Sequence, residues 1–422
     1  LGNVKDLKIS PMILYHLNEF KNAAMWPAHL WSEANHLFLQ ILPFEDTPFT
    51  RLISASNEIV ERTTRVYTKP AFNIQFNKND AGKSIQVEEK IIREKPFCTL
   101  KQFIRKQNNN VIGKEEPTVL IVPPLSGHFA TLLRDTVATM VVHHNVFVMD
   151  WHDARLVSLK HGAFDIETYV DYLLEFITNL GSDIHVMAVC QPAVPVLMAV
   201  SILADRGDIN QPQSMILMGG PIDTRINPGK VDKFAKEHDI GWFKRNIITK
   251  IPAYYPGAGR QVCPGFIMLN GFMSLNYERH KEANFNLFLN LVRGDMEHTE
   301  SHKKFYDEYR SVMDVPAEYF LESISTIFQE HALPKGKMYW RGQNINPKAI
   351  QRTALMTVEG ELDDISPIGQ TFVAHKLCSS LSKNLKYHHC QAGVGHYGIF
   401  NGHRWRTEIY PKVKLFISEN NK

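Results

Sequence analysis

The chain has 422 residues, 44% of them apolar and 22% charged, the balance of a globular protein with an enzyme-sized core and a substantial insertion or extension rather than of a disordered one. A net charge of +3 from 47 basic and 44 acidic residues, with no long Lys/Arg run, excludes a nucleic-acid stripe, and no stretch reaches the roughly 18 uninterrupted apolar residues of a transmembrane segment. Five cysteines (Cys98, Cys190, Cys263, Cys378 and Cys390) are odd in number and scattered without a C-x-x-C pair, which points to a reducing, cytoplasmic compartment and not to a disulfide framework.

The chain begins Leu1-Gly2-Asn3, without Met, and the residues that follow are too interspersed with polar ones for a secretory apolar segment. Residues 1–105 read as an N-terminal extension, with helices near 11–41 and strands near 84–104 that would join a sheet in antiparallel fashion. From Thr118 short β-rich runs alternate with helix-period segments, the pattern of a mostly parallel sheet wrapped by helices. Thr118–Val122 and Val146–Met149 are predicted strands, with a helix over Ala130–Val142 between them. Ile166, Tyr169, Val170, Leu173, Phe176, Ile177 and Leu180 share one helical face. The strand Ile184–Val189, the helix Pro192–Ala204 and the strand Ser214–Met218 complete the first part of this core, 106–221.

At Gly219-Gly220-Pro221 the alternation stops. Residues 222–350, rich in aromatics and in helix formers such as Ala283–Val292 and Ala317–Gln329, read as an inserted, largely helical cap. Residues 351–422 return to the core. They hold the strand Ala354–Val358, a helix to about Leu381 capped by Ser366 with Pro367 at its first position, the strand Leu385–Cys390, and a closing helix Arg404–Ser418 that contains Pro411.

Cys190 stands between the strand Ile184–Val189 and the helix from Pro192, on a tight turn near a helix N-terminus. In Ala188-Val189-Cys190-Gln191-Pro192 the places of a G-x-S-x-G box are filled by Ala before the nucleophile and Pro after it. Ala is the smallest substitute, and Pro fits a first helical turn. After later strands come Glu359-Gly360-Glu361-Leu362-Asp363-Asp364 and Gly393-Val394-Gly395-His396-Tyr397-Gly398. Nucleophile, carboxylate and histidine, in this order on successive strand ends, resemble the α/β-hydrolase fold, here with an inserted cap.

The chemistry asks for these residue types. A thiol of pKa roughly 8.5 is mostly protonated at neutral pH, so an imidazole must take its proton and a carboxylate must hold the imidazole in the correct tautomer. Asp363 is chosen because its distance from Gly360 matches the usual turn. Asp364, Glu359 and Glu361 read as solvated loop charges, and one of them stays open as the alternative acid. Oxyanion donors are expected at the Gln191 amide and in Pro123-Pro124-Leu125-Ser126-Gly127, where the prolines have no N–H and Leu125, or else Ser126, is left to donate. His128 beside that loop reads as structural rather than as a second base, and His152, Asp153 and Arg155 as a loop tie. With no H-E-x-x-H spacing and no Gly-rich phosphate loop, neither a metal nor a nucleotide cofactor is predicted.

Several stretches together resemble the intracellular polyhydroxybutyrate depolymerases. They are Pro124-Leu125-Ser126-Gly127-His128-Phe129, Asp150-Trp151-His152-Asp153-Ala154-Arg155, Val189-Cys190-Gln191-Pro192, Met218-Gly219-Gly220-Pro221, Gly271-Phe272-Met273-Ser274, Met313-Asp314-Val315-Pro316-Ala317-Glu318 and Gly395-His396-Tyr397-Gly398. The resemblance extends to Tyr15-His16-Leu17-Asn18-Glu19-Phe20, and the family's own elbow is similar in flanking Cys with Ala and Pro. It implies a Cys190, Asp363 and His396 triad, a polyhydroxyalkanoate substrate met at cytoplasmic granules, and a thioester acyl-enzyme released by water or by a thiol such as coenzyme A, a co-substrate and not a cofactor. Polyhydroxyalkanoate synthases share fold and triad but keep glycine on both sides of the cysteine, and a catalytically silent granule-coating scaffold would need Cys190 to be structural. An uncharged polymer calls for an apolar surface, so Phe266, Phe272, Tyr277, Phe285 and Phe288 of the cap are expected, as a set, to supply residues at the mouth above Cys190. Homo-oligomerisation is left open.

Overall fold

The structure, a computed structural model, describes residues 11–41, 47–78, 82, 84–108, 110–113 and 115–421. The Leu1-Gly2-Asn3 start lies outside them. Among the described residues ten strands form one sheet: β1 (Phe76–Lys78), β2 (Ser84–Lys95), β3 (Cys98–Gln107), β4 (Asn110–Val111), β5 (Thr118–Val122), β6 (Asn145–Trp151), β7 (Ile184–Val189), β8 (Ser214–Met218), β9 (Ala354–Gly360) and β10 (Lys386–Gln391). Their order is β1-β2-β3-β6-β5-β7-β8-β9-β10, with β4 paired to β3. From β6 to β10 every neighbouring pair is parallel, while β2 and β3 join antiparallel.

The parallel strands read as unbroken apolar runs because both faces are buried. On β5, Leu120 and Val122 pack with α4 (Ile166–Leu180) and α5 (Ala193–Asp205). Val119 and Ile121 face α3 (Arg134–Met140) and the C-terminal helix. Burying each such side chain contributes ~1.5–3 kcal/mol, and because side chains alternate with period two, a one-residue slip would exchange the two faces. β6 follows β5 on one side and β7 lies on its other side. The crevice at the carboxyl ends of β5 and β7 is therefore the point where the strand order reverses, the place an open α/β sheet offers a ligand.

Between β8 and β9 the chain forms α6 (Lys230–Glu237), α7 (Ile240–Asn246), α8 (Gly265–Leu275), α9 (Tyr277–Arg293), α10 (Met296–Arg310) and α11 (Ala317–Ser323). The segment predicted as one helix over Ala317–Gln329 changes to a wider π turn at Ile324–Gln329. A three-stranded antiparallel sheet of Thr249–Lys250, Gln261–Cys263 and Val315–Pro316 stands among these helices.

The N-terminal helices α1 (Pro11–Ile41) and α2 (Pro48–Thr64) pair through Ser32 and Asn57: the Ser32 hydroxyl donates to the Asn57 carbonyl at 2.8 Å, and the Asn57 amide donates to the Ser32 carbonyl at 2.8 Å. α1 is anchored by Tyr15, which is buried and donates to Asp314 Oδ2 at 2.8 Å. Asp314 Oδ1 accepts from the Gly265 amide at 2.9 Å, and its own amide donates to Asp153 Oδ1 at 3.2 Å. Arg155 Nε donates to Asp153 Oδ2 at 2.7 Å. Burial pushes the Asp314 carboxyl up to about 7, with Asp153 adding to the rise and Arg155 opposing it. His152 is not part of this tie: it bonds the Thr99 hydroxyl at 2.7 Å and the Pro96 carbonyl at 3.0 Å. None of the described helices is long and apolar enough to cross a membrane.

Two predicted helices differ. Residues 368–373 are turns, with α-helix only over Ala374–Leu377, and Ser366 does not cap through its side chain. The cause is Glu359, fully buried at the end of β9, whose carboxylate accepts the amides of Gly369 (3.0 Å), Thr371 (2.8 Å) and Phe372 (2.9 Å). Gly369 itself sits at φ +96°, outside the helical region. Near the C-terminus the helix contains a π turn, Trp405–Ile409, before it continues as α12 (Tyr410–Asn420). Pro411 has no N–H to give, and the widened turn absorbs that loss.

Candidate active site

Cys190 follows the last residue of β7 directly and holds φ at +69°, a left-handed conformation that costs a non-glycine residue ~1–2 kcal/mol. Its amide donates to the Met218 carbonyl at 2.7 Å, and its carbonyl accepts the Ala193 amide at 3.1 Å, turning the chain into α5. The room for so sharp a turn comes from the neighbouring strand end. A Cβ at Gly220 would lie 2.2 Å from Ala193 Cβ and 3.2 Å from the Cys190 carbonyl oxygen. Gly220 thus leaves room for the Cys190 carbonyl and for Ala193 at the start of α5.

The turn after β9 is closed by the Asp363 amide donating to the Gly360 carbonyl at 3.1 Å. Asp363 is buried, and each of its oxygens is engaged. Oδ1 accepts the amides of Ile365 (2.9 Å) and Ser366 (2.8 Å), and Oδ2 accepts His396 Nδ1–H at 2.7 Å. Cys190 lies close enough to the imidazole for its charge to act there. Burial alone would lower the pKa of His396, but the charges of Asp363 and Cys190 on its two sides outweigh it and hold the imidazolium well above the ordinary range. Gly219, at φ +55°, leaves room for this pair: a Cβ there would lie 2.7 Å from Ile399 Cδ1, 3.1 Å from His396 Cε1 and 3.3 Å from Asp363 Oδ2.

The three other acidic residues of this loop go elsewhere. Asp364 accepts from the Asn276 side chain, Glu361 accepts the Gly393 amide at 2.8 Å, and Glu359 is not a solvated charge but the buried organiser of residues 369–372. His128 donates through Nε2 to the Tyr309 carbonyl at 3.1 Å, and burial pulls its pKa down to about 4, so it stays neutral and occupied.

Leu125, Ser126, Gln191, Cys190 and His396 all line one cavity of about 660 Å³. Among the described residues the backbone amides of Gln191, Leu125 and Ser126 donate to no backbone carbonyl, so each remains free to face a ligand oxygen. The loop that carries Leu125 is fixed by Trp151 Nε1–H donating to the Pro123 carbonyl at 2.9 Å and by the Met313 amide donating to the Gly127 carbonyl at 2.7 Å. Apolar side chains from Leu132, Phe234, Phe243, Phe272, Phe320 and Phe328 make most of the wall.

Of the predicted cap aromatics only Phe272 lies in that wall. Phe266 packs edge-on against Tyr15 at 5.9 Å, and Tyr277 is exposed outside the lining. Phe285 and Phe288 face α2 instead, sharing a groove with Ser56, Ile59 and Thr63. The reason is the N-terminal extension: α2 packs beside α9 and forms a groove with Phe285 and Phe288, with Phe285 still exposed in it. Phe234, Phe243, Phe320 and Phe328 were missed, since they come from α6, α7, α11 and the π turn after it, short elements with no shared period to mark them. For metals, the group of described residues with suitable proximity is His29, Glu33 and Glu61, on α1 and α2 and outside the cavity lining, and Glu61 already pairs with Arg65 at 2.6 Å.

An eight-strand run from β2 to β10 with its single reversal, a positive-φ residue between β7 and α5, an acid after β9 and a histidine after β10 define an α/β-hydrolase. Residues 219–421, just under half of the chain, match the family described as PHB de-polymerase C-terminus, and this match supports a carboxylic ester hydrolase. No curated protein matches by sequence. Solved structures similar to this chain include the monoacylglycerol lipase of Paleococcus ferrophilus (13% identity, 72% of this chain and 94% of that one, TM-score 0.41) and a thermophilic esterase from Thermogutta terrifontis (9%, 83% and 99%, TM-score 0.40). A thioesterase domain from the curacin biosynthetic pathway is similar at 10% identity over 78% of this chain and 99% of that one, with a TM-score of 0.42.

Proposed function

We propose that the chain hydrolyses the ester bonds of a polyhydroxyalkanoate of the poly-3-hydroxybutyrate kind, with Cys190 as nucleophile, His396 as general base and acid, and Asp363 holding the imidazole. The observation that carries this reading is His396, hydrogen-bonded to Asp363 at 2.7 Å and within electrostatic reach of Cys190, with Cys190 and His396 both lining an apolar cavity at the point where the strand order reverses. The family match supports the polymer as substrate, and an apolar wall suits an uncharged chain.

His396 takes the thiol proton, and Cys190 Sγ bonds to the ester carbonyl carbon while the carbonyl π pair moves onto oxygen. The oxyanion is held by the Gln191 amide and that of Leu125 or Ser126. Its collapse breaks the C–O bond to the next repeat, and His396 returns the proton to the departing alkoxide, which leaves a thioester on Cys190. A water that gives its proton to His396 then attacks the thioester and releases the hydroxy acid and the thiol. Coenzyme A in place of water would yield an acyl thioester by the same step. The enzyme would work on granules in the cytoplasm.

Amorphous polymer granules incubated with and without coenzyme A test this reading. Free 3-hydroxybutyrate or its short oligomers should appear without coenzyme A, an adduct should be found on the Cys190 peptide in a stalled reaction, and Cys190→Ala should release nothing. Product released by Cys190→Ala would sink the mechanism. Cleavage of short esters with no action on granules would sink the substrate.

A further inference from the structure

The cavity wall is mostly apolar, with Lys230, Lys233 and Glu237 among its polar members, and a few of its buried polar atoms lack partners. Among the described residues, the hydroxyls of Tyr319, Ser323 and Ser366 and the side-chain carbonyl of Gln191 are buried without a hydrogen-bond partner, and all four residues line the cavity. Buried polar groups are nearly always paired, and leaving one unpaired is costly. Four around one cavity call for a ligand that completes them.

Tyr319 and Ser323 lie one turn apart on α11, and so share a face, with 1% and 2% of their surfaces exposed. Their hydroxyls are neighbours close enough to interact, but the two do not meet hydrogen-bond geometry. The Tyr319 ring cannot swing away: it stacks on Tyr169 at 5.5 Å and packs against Phe164 at 6.0 Å. Burial, reinforced by the charge at Cys190, holds the phenol protonated and hence a donor, and that coupling puts it within electrostatic reach of the nucleophile.

A polyester offers one carbonyl acceptor per repeat and no donor except at its hydroxyl end. We propose that the Tyr319 and Ser323 hydroxyls form a donor pair that receives the carbonyl oxygen of the ester next to the scissile one, making them specificity-determining residues that favour substrates with two or more linked esters. The inference rests on the reading of Cys190 as the nucleophile of a polyester hydrolase. It assigns the pair a task distinct from that of the oxyanion amides, which face the reacting carbonyl.

The test compares kcat/KM for a linear 3-hydroxybutyrate trimer and for 4-nitrophenyl butyrate, a monoester, in wild type, Tyr319→Phe, Ser323→Ala and the packing control Tyr169→Phe. Tyr319→Phe keeps the ring stack, and Ser323→Ala is the second route should it not fold. Each should lose about tenfold more on the trimer than on the monoester, the size of one neutral hydrogen bond, chiefly through KM. Tyr169→Phe, which removes a buried unpaired phenol outside the cavity lining, should show no such difference. Equal losses on the two substrates, or a like difference in Tyr169→Phe, would overturn the donor pair alone. Wild type that cleaved the monoester and not the trimer would overturn the polyester reading and the pair with it.

Discussion

Replacing Asp363 by Asn keeps the volume and removes one of two acceptor oxygens, and the local hydrogen bonds decide which. Oδ1 accepts two amides, from Ile365 at 2.9 Å and Ser366 at 2.8 Å. An Asn NH2 placed there would meet two donors, so the Asn oxygen stays with those amides and its NH2 faces His396 Nδ1, where Oδ2 stood at 2.7 Å. Nδ1 must then accept, the ring proton moves to Nε2, and the nitrogen beside Cys190 can no longer take the thiol proton. The imidazolium also loses the carboxylate that, together with Cys190, outweighs its burial. Loss of a triad carboxylate in this way lowers kcat by about 10⁴-fold, or on the order of 5.4 kcal/mol at 1.36 kcal/mol per decade. Asp364→Asn, whose side chain bonds Asn276 and not His396, should cost less than about tenfold. Hydrolysis of 4-nitrophenyl butyrate, with circular dichroism to check folding, measures both. A folded Asp363→Asn within about tenfold of wild type, or a larger loss in Asp364→Asn, would refute the assignment.

Further expectations concern reactivity, space, pH and the cap. Cys98, Cys263 and Cys378 are buried, and desolvation pushes the first two thiols well up and Cys378 to about 12, while Cys390 is exposed. In a Cys390→Ser background, iodoacetamide should therefore inactivate by labelling Cys190, and inactivation without that label on peptide mapping would count against it. Gly219→Ala should lower kcat by about 10²-fold, because its Cβ would crowd His396 and Ile399, as parallel kinetics and melting curves can show. The Asp314 carboxyl, raised by burial and Asp153 to about 7 from 3.8, contributes stability that is complete below pH about 4 and lost as pH rises through 7. Asp314→Asn should therefore raise Tm above pH 7 relative to wild type and flatten its fall between pH 4 and 7; a parallel Tm–pH curve would refute this. Phe272→Ser should raise KM for the trimer by about tenfold, whereas Phe285→Ser, in the groove against α2, should move it by less than about twofold; equal shifts would mean that the cavity is wrongly drawn.

How much was legible followed from how local each cause is. Strands β5 to β9 were visible because burial on both faces writes an unbroken apolar run, as in Thr118–Val122, that no surface element shows. Cys190 stood out because it follows such a run directly, His396 because glycines flank it on the loop after β10, and the spacing of Asp363 from Gly360 reflects a turn closed by their own hydrogen bond. The helix expected from Ser366 failed because its amides answer to Glu359, a residue on another element whose burial no local pattern announces. Phe285 and Phe288 failed for the same reason at longer range, since α2 claims their face of α9. The oxyanion loop stayed undecided between Leu125 and Ser126, as both amides are free and both line the cavity.

The elbow's missing glycines bear on how relatives of this chain are sought. A motif is a one-dimensional record of a three-dimensional allowance, and here part of that allowance lies outside the motif, at Gly220 on the adjoining strand end, where a Cβ would crowd Ala193 and the Cys190 carbonyl. A search keyed to glycine on either side of the nucleophile would pass over such a protein. A search that accepted small side chains anywhere within reach of the turn, provided one residue of the next strand end left its Cβ position empty, would retain it.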